Sequence, residues 1–444
     1  MKKDSRGIAL TGASELALAR YETAIEQFQT YVGDPIATID EALLDAPSFV
    51  AGHLMKALVL YTLAERRFAA MAGEALDAAR AHASSANDRE RGLLAAGDAL
   101  VDGRWDDACA ALDRVLANAP RDALALQVAH LMDFYRGDAL NLRNRVSRVM
   151  PHWDASVPGH SYVLGMHAFG LEEMNQYPEA EAAALRALSL QPKDGWAVHA
   201  AVHVMEMQGR IDEGVAFLRT READWAPDNA FAFHNFWHLA LFCMDGARYQ
   251  DALALWDRHV HPEPAAYILS LVDATALLWR LHLEGVDVGD RVMRIADDWE
   301  LRLPQEAGFY AFNDVHAAMA FAMAGRDNAM LELDAHMADA VRVAGPQGKI
   351  TAEVGVPIAR GLASFARGRY AESIDAIGPV RDTAHRFGGS HAQRDLLTLT
   401  LIEGAIRAGD GARARHYAAE RRMHKPASAW GERLWKRAGA ELST

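Results

Sequence analysis

Cysteine is nearly absent from this chain. Cys109 and Cys243, the two cysteines among 444 residues, give no disulfide framework and no paired spacing for a zinc knuckle. A basic face is missing too: 46 Lys and Arg stand against 60 Asp and Glu, a net charge of -14. That balance argues against bulk affinity for nucleic acid or an anionic membrane. Long apolar runs are lacking; AYILSLVDATALLWRLHLEG is interrupted by Asp273 and Arg280, so no bilayer span is expected. The opening MKKDSRGIALTGASELA has two lysines but no apolar core of signal-peptide length. No Walker loop or dinucleotide fingerprint is present. Gly388-Gly389-Ser390 lacks the second flanking glycine of a nucleophile elbow. These absences predict a soluble, cytoplasmic protein with neither nucleic-acid nor membrane partners.

What is present favours helix. The composition is 51% hydrophobic and 24% charged, rich in Ala, Leu, Arg and Glu and poor in β-branched runs. Landmarks recur. Ala96, Gly103, Trp105, Ala108, Leu112 and Pro120 form one set, and Tyr177, Ala180, Ala184, Ala187 and Pro192 repeat its offsets. Gly209, Ile211, Gly214 and Leu218 mark a third unit; Gly246, Tyr249, Ala252 and Trp256 mark a fourth. Gly361, Gly368, Tyr370, Ser373 and Ile377 mark another, and Gly409, Ala414 and Ala418 the last. The period is about 34 residues, that of the tetratricopeptide helix pair. Each pair cannot bury its apolar stripe alone, so neighbours stack over a shared core. The expected fold is all-α, a tetratricopeptide-like α-α superhelix of helix-turn-helix repeats with no sheet.

Three stretches are expected within one continuous superhelix. Residues 1–88 hold irregular N-terminal helices and a degenerate repeat. Residues 89–262 hold the repeats with a His/Glu cluster, and 263–444 hold further degenerate repeats and a cap. HPEPAAYILS and LRLPQEAGFYAFND read as irregular joints. RARHYAAERRMHK reads as a solvated basic helix face.

The cluster is the sharpest chemical signal. Counting each first helix so that its turn glycine is position 15, positions 4, 7, 8 and 11 pack on the second helix. Positions 2, 5, 6, 9, 12 and 13 then face the concave side. His199, His203 and Glu206 take positions 5, 9 and 12, and His234 and His238 take 2 and 6 of the next unit. Glu172 and Tyr162 occupy 12 and 2 of the preceding unit, and His316 occupies 6 of a later one. Packed helices lie about 8–10 Å apart, so these side chains are placed to meet. Imidazoles with a carboxylate suit a divalent metal such as zinc, and Glu206 or Glu172 would then serve as general base. The order H-x3-H-x2-E is not the HExxH protease motif. The same residues also suit a wet polar groove without metal.

The segments YVLGMHAFGLEEMNQY, WAVHAAVHVMEM, FHNFWHLAL, FNDVHAAM and HAQRD resemble those of the tetratricopeptide repeat protein 38 family, over about Arg91 to Gly404. HNFWH and FNDVH are the most specific parts. In that family a further histidine often precedes the glutamate of the second segment, where this chain has Met205. The resemblance implies a soluble helical protein and adds Asn235, Trp237, Asn313 and Asp314, with Arg394 in the HAQRD segment. The candidate set is therefore Glu172, Glu206 and Asp314 for catalysis. Tyr162, Asn235, Trp237, Asn313 and Arg394 are candidates for ligand contacts, and His199, His203, His234, His238 and His316 for a metal. The expected function is binding of a small molecule or peptide in a concave pocket, with metal-dependent hydrolysis as its chemistry; the alternative is a non-catalytic interaction scaffold.

Overall fold

The computed structural model describes residues 1–261, 267–343 and 345–440. Helix accounts for 77% of the chain, and the helices run in antiparallel pairs joined by short turns. The fold is all-α and tetratricopeptide-like. Among the described residues no helix is long and apolar enough to cross a membrane. Of the joint at HPEPAAYILS, residues 262–266 lie outside the described residues. At the second joint, the helix Arg291–Glu306 runs through Pro304 and ends before Ala307.

One feature departs from the all-helical expectation. Lys2–Lys3 and Ala9–Leu10 form a short antiparallel ribbon, Lys2 opposite Leu10. Its turn is closed by the Asp4 carboxylate, which accepts from the Arg6 and Ile8 amides at 3.0 and 2.7 Å. Gly7 there takes a φ of +85°.

The repeat turns share one closure. After the first helix of a pair, one residue enters the left-handed region and the next donates its N–H back to a carbonyl five residues earlier. Examples are Arg104 to Ala99 (2.8 Å), Arg210 to Met205 (2.8 Å) and Arg369 to Ser364 (2.9 Å). Gly103, Gly209, Gly368 and Gly409 supply the positive φ, as expected. In the unit marked by Gly246 the left-handed residue is Ala247, at φ +55°, so the turn lies one residue later than the landmark.

The chain divides into two compact units: Met1–Ala201 with Glu222–Ala232, and Val202–Arg221 with Phe233–Thr444. In the first, pairs such as Asp88–Val101 with Trp105–Asn118 and His160–Glu173 with Tyr177–Leu190 stack in sequence. In the second, the pairs include Ile268–Leu283 with Arg291–Glu306, Ala311–Ala324 with Asp327–Arg342, and His391–Arg407 with Gly411–His424.

Small landmark residues let neighbouring helices approach. A Cβ on Gly214 would lie 2.2 Å from the Phe242 ring, and one on Gly361 would lie 2.4 Å from the Ile377 side chain. Gly214→Ala is therefore expected to destabilise the protein by about 1–3 kcal/mol, the usual cost of overpacking, with the helical spectrum retained. Chemical denaturation checks this; an unchanged midpoint would contradict the packing.

In the second unit the stripe expected on the concave side is enclosed. The helix Ile268–Leu283 packs directly on His391–Arg407 as well as on Ala311–Ala324. Trp279 Nε1 donates to Thr400 Oγ1 at 2.9 Å, and Arg280 Nη2 donates to the Ala392 carbonyl at 2.6 Å. First helices of different repeats thus meet across the inside of this unit, and the stripe assigned to a groove is buried. His203, His238 and His316 are each at most 1% exposed.

Candidate functional site

Two helices carry the site. Gly195–Met207 begins at Asp194, whose Oδ1 accepts from the Trp196 and Ala197 amides at 3.1 and 2.9 Å, satisfying two otherwise orphaned donors. Along it, His203 and Glu206 share a face at a spacing of three. Ala232–Asp245 carries His234 and His238 at a spacing of four. All four of these side chains lie in the second unit.

The ring centroids of His203 and His238 are 4.5 Å apart, and those of His234 and His238 4.9 Å. Each of His203, His234 and His238 offers a ring nitrogen within 4.8 Å of the others. Two of the three rings are anchored at Nδ1. His234 Nδ1 lies 2.5 Å from Asp273 Oδ2, and His238 Nδ1 lies 2.9 Å from Glu206 Oε2. A carboxylate accepts only, so the proton sits on Nδ1 and the lone pair on Nε2, the tautomer that metal-ligating histidines adopt beside a carboxylate. Trp237 stacks on His234 with centroids 5.3 Å apart and planes 15° apart, and the Arg280 guanidinium lies 5.3 Å from the Trp237 ring centre.

Behind the histidines runs a buried chain of charges. Glu206 Oε1 accepts from Lys425 Nζ at 2.5 Å, and Lys425 lies 3.6 Å from Asp395. Arg421 donates to both oxygens of Asp395, at 2.9 and 2.8 Å. Burial alone would raise the Glu206 carboxyl, but Lys425 and His238 hold it well below the usual range. Burial raises Asp395 as well, and Arg421 with Lys425 brings it to about 2. His238 is pushed well below the ordinary imidazole value by burial and by His203, so it is neutral at physiological pH. Burial lowers Arg280 to about 10 despite Asp395 and Glu206 nearby.

The structure brings together His203, Glu206, His234, Trp237 and His238. Asn235, on the same helix, is fully buried. His316 is not among the histidines whose ligand atoms converge. Its Nδ1 lies 2.8 Å from the Phe312 carbonyl of its own helix, and burial and then Arg280 push it down to about 4. Its neighbours Asn313 and Asp314 are buried, and Asp314 Oδ1 accepts from the Gly308 amide at 2.9 Å, tying down the preceding turn. Arg394 donates to the Gly389 carbonyl and lies 3.4 Å from His391 Nδ1. Ser390 caps its helix, accepting from the Gln393 amide.

In the first unit, His199 stands one turn before His203 on the same helix, its ring about 5 Å from those of Phe169, Trp196 and Phe231. Glu172 is fully buried there; burial, and then Glu172, push the Tyr177 hydroxyl up. The Tyr162 hydroxyl accepts from Gln191 Nε2 at 3.3 Å.

Sequence reasoning missed Asp273, Lys425, Asp395, Arg421 and Arg280 as site residues. A signal existed for two of them: Asp273 and Arg280 interrupt an otherwise apolar helix seven residues, about two turns, apart, which puts both on one face. The segment RARHYAAERRMHK is not a uniformly solvated face, because Arg421 and Lys425 are buried against carboxylates.

No protein-family model matches the chain. Among solved structures it is similar to a monomeric mutant of IFIT1 with Gppp-AAAA, at 14% identity and a TM-score of 0.43, over 95% of this chain and 99% of that one. It is also similar to the human IFIT1 dimer with m7Gppp-AAAA, at 14% identity and a TM-score of 0.42, over 95% and 100% of the two chains.

Proposed function

We propose that this chain is a relative of the tetratricopeptide repeat protein 38 family that holds a divalent transition metal of the zinc class on His203, His234 and His238. The ion would serve a small-molecule ligand in the cytoplasm, not an extended peptide. One observation carries the reading: three buried imidazoles converge, and two of them are fixed at Nδ1 by carboxylates, which orients Nε2 and raises its basicity. An ion held by these imidazoles would supply Lewis acidity to an oxygen-bearing ligand.

The residues of the chain have separable roles in this reading. Glu206 positions His238; its carboxylate is engaged by Lys425 and held far below neutrality, which makes it a poor general base. Asp273 positions His234, and Trp237 covers the His234 ring. Burial of the site favours a small ligand over a peptide segment. HNFWH, one of the two segments most specific to the family, supplies two of the three ligands. The free, buried Cys109 and Cys243 fit a reducing compartment.

Metal analysis of protein purified without a histidine tag tests the proposal. About one zinc per chain is expected, and it should be lost on His203→Gln or His238→Gln with helicity retained. Wild-type protein that takes up no zinc at micromolar concentration would overturn it.

A further inference from the structure

We propose that the second unit contains a binding site for a compact dianion, one carrying a phosphate group or a pair of carboxylates. It lies in a cavity of about 250 Å³ walled by the segment Gly378–Phe387, the helices His391–Arg407 and Gly411–His424, and Met207. That volume is below the range of about 300–1,000 Å³ typical of drug-sized ligands, so it suits a small molecule.

The charge of the wall selects the sign. Four cations, Arg381, Arg394, Arg421 and Lys425, face three carboxylates and three histidines, in a chain whose net charge is -14. Ion pairs offset the two signs against each other, and four cations against three carboxylates leave a surplus of one positive charge in the wall. Asp395 is held by both arms of Arg421, Glu420 lies 3.3 Å from Arg381, and the Asp382 side chain is 74% exposed to solvent. Guanidinium groups present paired donors that match two oxygens of a phosphate or carboxylate, and lysine adds a point charge. Lys425 lines the cavity and also bonds Glu206, so the cavity wall adjoins the carboxylate that positions His238. The dianion site nevertheless stands on its own lining, whether or not the histidines hold metal.

Isothermal titration of the tagless full chain in low-salt buffer tests this, with inorganic pyrophosphate and citrate as probes. One-to-one binding of at least one probe is expected, weakened about tenfold or more by Arg394→Gln, the effect of losing a charge-assisted bond. Preference for pyrophosphate assigns a phosphate ligand, and preference for citrate a carboxylate one. Arg381→Gln gives a second variant on another element of the wall and decides the matter if Arg394→Gln does not fold. Absence of binding by both probes, or binding unchanged in the folded variants, overturns the proposal.

Discussion

Replacing Asp194 with asparagine is expected to raise stability by about 3–4 kcal/mol at pH 8 and to have little effect at pH 4. Asp194 caps the helix that continues to His203, and it is fully buried, with Oδ2 facing Gly165 and making no hydrogen bond. Burial outweighs its two amide bonds and pushes the carboxyl up to about 7, against 3.8 for the free side chain. Between those values the folded chain holds a proton that the unfolded chain has released. Stability therefore falls as pH rises from about 4 to 7, the reverse of an ion-paired aspartate. Asparagine keeps the capping oxygen and removes the charge. Denaturation of both proteins at pH 8 and pH 4 measures the difference. A change in stability that is equal at the two pH values would show that Asp194 is not buried as described.

Removing Glu206 should have the opposite sign and a similar size. Glu206→Ala takes from Lys425, which is 7% exposed, its nearer carboxylate, leaving Asp395 at 3.6 Å, and leaves His238 without its acceptor. Breaking one side of a buried pair costs about 3–5 kcal/mol at pH 7, and Asp395 places this loss toward the lower end. The double variant Glu206→Gln with Lys425→Met should recover most of that loss, since no unpaired charge remains. A loss under about 1 kcal/mol for Glu206→Ala would place the pair in solvent, against the geometry.

These two residues also show how far the sequence could be read. Asp194 lies just before a helix start that its own side chain creates, and the spacing of His203, Glu206, His234 and His238 follows from helical periodicity alone. The repeat landmarks were legible for the same reason: Gly214 and Gly361 sit where only a missing side chain lets two helices touch. Gly246 was a near miss, because an alanine can hold the left-handed turn position when the closure of the repeat demands it.

The partners of the histidines were not legible. Asp273 comes from 39 residues after His234, and Lys425 from 219 residues after Glu206. Local periodicity carries no information about which distant helix supplies a counter-charge. The burial of the inner stripe was not legible either. Repeat geometry predicts a concave pocket, and in the second unit Trp279 and Arg280 bond across to the helix His391–Arg407 while the polar stripe is buried. Polar residues on an inner face therefore became a buried network, where a charge must be paired and an imidazole stays neutral.

X-ray absorption fine structure on zinc-loaded protein reads the ligands of the ion itself. A first shell with three imidazole nitrogens at about 2.0–2.1 Å and one further light atom is expected. The His203→Gln protein should lose that shell. A shell of oxygens alone, or one unchanged by His203→Gln, would contradict the three-imidazole site.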